Sequence, residues 1–321
     1  MNLLEQSWYH KGHWLSLLLL PLAALYWLIT WARRRLYRLG LFRRFRLPVP
    51  VVIVGNISVG GTGKTPFTLW LCQQLLASGV KPGIISRGYG ARINRPLLVS
   101  AESLAQDVGD EPLLLARRSN CPVVVCPDRV AAGRALLATH KVDIIICDDG
   151  LQHYRLARDL EIVLVDGRRG FGNGLLLPAG PLREPRARLK KVELVIVNSG
   201  EVVEANCQMQ LRSSVARSLV GDTVLSPADV TLVAGIGNPD RFRLTAIQAG
   251  FNVTAQRFFA DHHQFCAADF AGINTTVLMT EKDAVKCRTF ARENWYYLPV
   301  DADFSTEHAA EIMNKIKSLL E

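Results

Sequence analysis

The feature that most constrains the fold is VGNISVGGTGKTP at residues 54 to 66, set between an apolar run, PVPVVIV, and a helix-compatible run, TPFTLWLCQQLL. A glycine-rich turn between a strand and a helix, ending in Gly63-Lys64-Thr65, predicts a phosphate cradle. Backbone N–H groups of such a loop converge on an anion, and the following helix N-terminus adds positive potential. Ser58, Val59, Gly60, Gly61, Thr62, Gly63, Lys64 and Thr65 form the predicted nucleotide-binding loop. Lys64 is expected to reach the β- and γ-phosphates, and Thr65 to offer its hydroxyl to Mg²⁺. Ser58 stands where the strict motif has glycine, and Gly55, Gly60 and Gly61 supply the flexibility instead.

A nucleotide site of this kind needs an acidic second half, and VDIIICDDG at 142 to 150 fits it. The consecutive apolar residues predict a buried parallel strand. Asp148 and Asp149 end that strand, where ligands bind in open α/β sheets. Carboxylates there can hold Mg²⁺ directly or through water.

Beyond these motifs, short β-branched runs alternate with helical ones up to about residue 200, which predicts a parallel sheet covered on both faces. The pattern restarts near residue 225 with TLVAGIGNP. GIGNP at 235 to 239 lacks the third glycine of a dinucleotide fingerprint and is expected to be a strand-to-helix turn. The chain of 321 residues therefore divides, on this reading, into an N-terminal segment 1–46, a nucleotide-binding domain 47–224 and a smaller α/β domain 225–321. The fold class is α/β: a P-loop NTPase sheet, a second α/β domain, and an N-terminal membrane-associated helix. The substrate is expected in the cleft between the two domains.

Charge locates the membrane segment. The net charge is +9, and residues 1–50 hold +7 of it, from Lys11 and seven arginines against Glu5. A nearly neutral body argues against nucleic acid as a partner. Trp14 to Trp31 is an uncharged stretch of 18 residues, about 27 Å long as a helix against a hydrocarbon core of roughly 30 Å. Seven arginines follow it, from Arg33 to Arg46, which favour the cytoplasmic side and anionic lipid. Two arrangements fit: a single short span, or a helix lying in one leaflet. The seven cysteines are scattered without a Cys-x-x-Cys pair, as expected of free thiols and no zinc site.

GNISVGGTGKTP, SRGYG, VGDEP, DDGLQH, PLREP, ADHH and TEKDAVK occur in that order along the chain. As a set, preceded by the apolar and basic N-terminus, they closely resemble the tetraacyldisaccharide 4'-kinase family. Leu151 stands where that family commonly has phenylalanine. The resemblance implies transfer of the γ-phosphoryl group of ATP to the 4'-hydroxyl of an acylated glucosamine disaccharide 1-phosphate, a lipid A precursor. It also implies Mg²⁺ as cofactor and work at the cytoplasmic face of the inner membrane, with membrane lipid contacted through residues 1–46.

The resemblance, together with the chemistry of carboxylate–imidazole pairs, casts Asp110 as catalytic base and His262 as its partner, with His263 as the neighbouring alternative. Asp110 is also placed to cap the helix that begins EPLLLARR. Arg87 and Arg129 are candidates for the sugar phosphate. Arg183 and Glu184 are expected to border the cleft. Glu281, Lys282 and Asp283 are expected to end a strand and to serve structure rather than catalysis. The alternative function is a membrane-associated P-loop ATPase acting as a switch or in transport. The lysine diagnostic of that group's glycine loop is replaced here by Val59. A GTPase would carry Asn-Lys-x-Asp, which is missing, and a non-enzymatic adaptor would need neither the loop nor Asp148.

Overall fold

The computed structural model describes residues 3–10 and 12–321. Three helices come first: α1 (Leu3–Tyr9), α2 (Trp14–Leu18) and α3 (Leu20–Arg38). β1 (Val51–Gly55) then leads through the glycine-rich loop into α4 (Lys64–Ala77). The alternation continues with β2 (Pro82–Ser86), β3 (Leu97–Val99), α5 (Ala105–Val108), α6 (Asp110–Arg118), β4 (Val123–Val125) and α7 (Arg129–Thr139). β5 (Ile144–Asp148), β6 (Leu160–Asp166), β7 (Leu194–Asn198) and β8 (Cys207–Ser213) follow. The next group is β9 (Ala216–Ser218), β10 (Val224–Leu225), β11 (Asp229–Ala234), α8 (Pro239–Gln248), β12 (Asn252–Phe258), β13 (Val277–Thr280), α9 (Glu281–Cys287) and β14 (Trp295–Leu298). β15 (Val300–Asp303) and α10 (Thr306–Lys317) complete the set.

The first sheet has the order β15-β8-β7-β6-β1-β5-β2-β4-β3 and is parallel except for β3 and β15 at its edges. Its inner strands β1, β5 and β7 read as nearly continuous apolar runs because both faces are covered. Val52 and Val54 of β1 face one core and Val51 and Ile53 the other, as the two-residue period of a strand requires. β1 lies between β5 and β6, and the register pairs Val54 with Asp148. That pairing brings the glycine-rich loop and the acidic pair to the same edge of the sheet.

The second sheet has the order β10-β9-β14-β13-β11-β12. GIGNP forms the turn between β11 and α8 as expected, with Asn238 capping the helix through Arg241 N–H. The boundary expected at 224/225 differs from the strand memberships at both ends. β9 and β10 already belong to the second sheet, whereas β15 and α10 return to the first. The reason is packing: Ala302, Ile312, Met313 and Ile316 join the apolar core that also holds Phe67 and Leu71 of α4.

Of the two arrangements expected for the N-terminus, the described helices bear on the span. Met1, Asn2 and Lys11 of that segment lie outside the described residues. No helix among the described residues is long and apolar enough to cross a membrane. The uncharged stretch breaks at Leu19, and the four arginines from Arg33 to Arg38 occupy the end of α3. The uncharged part of α3, Leu20 to Ala32, is only ~20 Å long at 1.5 Å per residue. α1 and α3 instead dock on the body: the Trp8 indole N–H donates to Pro178 O at 2.9 Å, and the Tyr26 hydroxyl donates to Arg183 O at 3.0 Å. Trp14, Leu17, Leu18, Leu22 and Ile29 remain exposed.

Candidate active site

A cleft of about 580 Å³ lies between the two sheets, and the glycine-rich loop from Val59 to Thr65 forms one wall. Gly63 caps α4 in the left-handed region, at φ 95°. A Cβ there would sit 2.6 Å from Asn198 Nδ2 and 2.8 Å from the Met209 methyl, so glycine is required both by torsion and by space. Gly63→Ala is therefore expected to lose about 1–3 kcal/mol of stability and to weaken ATP binding. Thermal denaturation with and without ATP measures both, and an unchanged midpoint with normal ATP affinity would contradict the cradle geometry.

Lys64 Nζ lies 3.5 Å from Asp149 Oδ1, and Arg183 Nη1 donates to Asp149 Oδ2 at 3.2 Å. Burial alone would raise the Asp149 carboxyl. Lys64 and Arg183 overcome that and hold it far below the usual carboxylate range. Asp149 sits at φ 46°, a strained conformation for a non-glycine residue that turns its side chain to the cleft. Asp148 behaves differently. Burial, reinforced by Glu111 and opposed by Lys64, pushes its carboxyl up to about 7. Its Oδ2 accepts from the Ser86 hydroxyl at 3.4 Å, and Oδ1 has no partner among the described residues.

A buried carboxylate oxygen left without a donor, in the field of Lys64 and at the strand end beside the one that leads into the phosphate loop, fits Mg²⁺. The described residues contain no cluster of three His, Cys, Asp or Glu side chains able to hold a metal. Mg²⁺ does not need one, because it keeps waters and takes phosphate oxygens with one or two protein groups. Of the expected ligands, Thr65 and Asp148 fit this role, whereas Asp149 is committed to Lys64 and Arg183.

Across the cleft, Asp110 opens α6 and is buried. Gly109, at φ 92°, is the cap of that helix, so Asp110 is its first helical residue rather than the expected N-cap. His262 Nδ1 lies 3.0 Å from Asp110 Oδ2 and 3.2 Å from Oδ1. His262 is held at φ 60°, and its ring packs on Tyr89 with centroids 4.7 Å apart. His263 instead pairs with Asp269 at 3.0 Å and stacks on Phe259, within the second sheet's own core layer. The geometry thus selects His262 over its neighbour as the partner of Asp110.

Two lysines complete this cluster. Lys282 Nζ donates to Glu111 at 3.1 Å, lies 3.9 Å from Asp110 Oδ2 and approaches His262 Nε2 at 3.5 Å. Burial would lower the Lys282 pKa, but Glu111, Asp110 and Asp261 raise it above its ordinary value. Lys286 Nζ also lies 3.9 Å from Asp110 Oδ2 and pairs with Asp283 at 2.7 Å. Burial alone would raise the Asp110 carboxyl. The His262 hydrogen bond and then the two lysines outweigh it, so Asp110 stays below its ordinary value and ionised at neutral pH.

Sequence reasoning placed Glu281, Lys282 and Asp283 at a strand end and outside the chemistry. β13 ends at Thr280, and Glu281 begins α9. The four-residue spacing of Lys282 and Lys286 was the available signal, since it puts both on one helix face. Arg241 and Asn198 were also missed. Arg241 Nη2 donates to Asn198 Oδ1 at 2.8 Å, and Asn198 Nδ2 donates to Thr62 O at 3.0 Å. This chain ties α8 of the second sheet to the phosphate loop.

The candidate sugar-phosphate residues divide. Arg183 lines the cleft. Arg87 is exposed past β2 and takes no part in the cleft wall. Arg129 is buried and absent from the cleft wall, with its guanidinium donating to Pro127 O and Asp149 O and its Nε left without a partner among the described residues, so it holds the acidic turn. Glu184 is likewise buried, accepting from Gln152, Tyr154 and Arg34, and it anchors α3 to the body.

A family model described as tetraacyldisaccharide-1-P 4'-kinase matches residues 15–318. The tetraacyldisaccharide 4'-kinase of Aeromonas salmonicida is 48% identical over 323 residues, covering 99% of this chain and 97% of that protein. The enzyme of the same name from Shewanella sediminis is 47% identical over 308 residues, covering 94% and 91%. Among solved structures, LpxK from Aquifex aeolicus, crystallised in complex with ATP, matches with a TM-score of 0.80 at 28% identity, covering 96% of this chain and 100% of that one.

Proposed function

The chain belongs to the tetraacyldisaccharide 4'-kinase family, and from that premise we propose how its residues carry out phosphoryl transfer. The enzyme phosphorylates the 4'-hydroxyl of a tetraacyldisaccharide 1-phosphate, a lipid A precursor, with ATP as donor. ATP seats its phosphates in the loop from Ser58 to Thr65, with Lys64 on the β- and γ-phosphates. Thr65 and Asp148 would hold Mg²⁺, which neutralises phosphate charge when bound. The 4'-hydroxyl gives its proton to Asp110 as its oxygen bonds to the γ-phosphorus and the bond from that phosphorus to the bridging oxygen breaks, releasing ADP. His262 orients that carboxylate, while Lys282 and Lys286 keep it ionised. Arg183 serves the cleft end of the acceptor and holds Asp149 in place.

The observation that carries this reading is the placement of His262 and Glu111 on the same cleft as Lys64, with Asp110 directly behind them. The experiment is transfer of labelled γ-phosphate to the tetraacyldisaccharide 1-phosphate, set against basal ATP hydrolysis. ATP consumption without labelled lipid would favour a switch or transport ATPase instead.

Association with the cytoplasmic face of the inner membrane belongs to the same reading. Its support is the exposed apolar surface of α2 and α3 beside the arginines of α3. Leu18 is 66% exposed and Leu22 54%. Inserting the exposed part of each into a leaflet is worth about 1–2 kcal/mol. Leu18→Glu with Leu22→Glu should therefore cut binding to anionic vesicles by at least tenfold, with ATP binding retained. Added salt should weaken only the arginine contribution. Flotation equal to that of the parent protein would rule out these helices as the docking face.

A further inference from the structure

A second cavity, of about 310 Å³, lies where α6 meets α9, β9 and β14. It shares only Leu114 and Glu281 with the cleft lining. Four arginines line it: Arg117 and Arg118 from α6, Arg217 from β9 and Arg288 just past α9. Arg118 is neutralised, by Glu281 at 2.9 Å and Asp301 at 2.6 Å. Among the described residues the other three make no ion pair, although Glu102 acts on Arg117 and Glu281 on Arg217 from farther away. Arg117 donates through Nε to Ala101 O at 2.9 Å, while its Nη1 is buried with no partner among the described residues. Arg217 lies opposite Tyr297 in the β9–β14 register, which puts a phenol beside the guanidinium groups.

Two exposed guanidinium groups and a half-buried one with an orphaned N–H surround this small polar cavity, and a single anion there would engage all three. Burial and then Arg288 lower the Arg117 pKa from its ordinary value, and Glu102 and the Tyr297 phenol only partly oppose them. The carbonyl end of α6 supplies only a fraction of a negative charge. The volume suits a phosphate group with a small organic remainder and is too small for a macromolecular segment.

We propose that this cavity binds a phosphate-type anion between Arg117, Arg217 and Arg288. The phosphate belongs either to a soluble phosphate ester or to an anionic lipid headgroup. Forked guanidinium donors match tetrahedral phosphate oxygens in a bidentate manner. The bound anion would tie α6 of the first sheet to α9 and β9 of the second. α6 and α9 carry Asp110 and Lys282 at their opposite ends, so the site is placed to set how firmly the catalytic cluster is held together.

The test uses the full chain saturated with a non-hydrolysable ATP analogue, so that the phosphate loop is filled. Pyrophosphate, titrated calorimetrically, should bind saturably, and Arg117→Gln with Arg288→Gln should weaken it roughly tenfold or more. Arg288 is exposed, so Arg288→Glu alone keeps the fold and gives a second reading of the same effect. Flotation with phosphatidic acid vesicles, against phosphatidylcholine, supplies the lipid arm. Loss of pyrophosphate binding in the variants supports a soluble ester. Loss of vesicle binding in Arg288→Glu, with no pyrophosphate binding in the parent, supports a lipid headgroup. Binding in both arms that is indifferent to these arginines, or none in either arm, overturns the proposal. Turnover of the lipid substrate without added anion should be unchanged in Arg288→Glu, so failure here leaves the kinase assignment standing.

Discussion

Asp110→Asn should leave the protein folded and lower kcat by about 10²–10⁴-fold, with little change in KM for ATP. A sugar hydroxyl is a poor nucleophile at neutral pH, and an amide oxygen can accept its hydrogen bond without taking its proton. The substitution isolates this effect because Gly109, not Asp110, caps α6. His262→Ala should cause a loss of similar kind, and the double variant should be little worse than the more damaged single one, since the two act as a unit. Full activity in Asp110→Asn would remove the base, and losses that multiply would show two independent groups. His263→Ala should be near normal, because that ring pairs with Asp269.

The same substitution has a pH signature. The folded-state pKa of Asp110 is depressed, so its ionised form contributes stability above the unfolded value of about 3.9. That contribution disappears as pH falls through the folded value. The parent protein should therefore exceed Asp110→Asn in thermal midpoint at pH 7, and the gap should close in acid. A gap that widens on acidification would contradict the sign of the interaction with His262, Lys282 and Lys286.

Lys64→Ala should reduce turnover at least a hundredfold, about 2.7 kcal/mol of transition-state stabilisation. The side chain opens onto the cleft beside Asp149 at 3.5 Å, so its removal deletes charge at the phosphates without opening the core. Arg183 still neutralises Asp149 in the variant, and the fold should persist. Circular dichroism and labelled-phosphate transfer together separate the two effects. Near-normal turnover would dismiss Lys64 from the phosphate site.

What could be read from the sequence was what is local in the chain. The glycine loop, Lys64 and the β5 aspartates follow from contiguous strand, turn and helix chemistry, and the register of Val54 with Asp148 only confirms their meeting. Asp110 and His262 lie 152 residues apart and were legible only through the family resemblance. Lys282 and Lys286 were hidden by a wrong local boundary, since a strand end and a helix start read alike in TEKDAVK. Arg129 and Glu184 show a different barrier. A charged residue near a motif does not reveal whether its polar atoms face a ligand or buried partners in the protein, and both of these face the protein. Of the two N-terminal arrangements the sequence left open, a span finds no helix of sufficient apolar length among the described residues, since α3 takes Pro21 in its first turn and reaches its arginines after Ala32.

The route of the chain between the sheets bears on biosynthesis. β15 and α10 are encoded after the entire second sheet, yet they cover α4, with Phe304 against Trp70 at 4.4 Å and Ile312 in the core shared with Phe67. A nascent chain that has completed β1 to β8 still lacks one edge of its sheet and part of the wall behind the nucleotide-binding helix. Vectorial folding of the first unit as an independent module is therefore closed to this topology. The emerging chain must hold an apolar flank of α4 open until about 100 further residues, from the end of β8 to the end of α10, have been made and the second sheet has turned the chain back. Ribosome-stalled chains ending near residue 213 should accordingly depend on chaperones and resist nucleotide capture, whereas chains that include α10 should not.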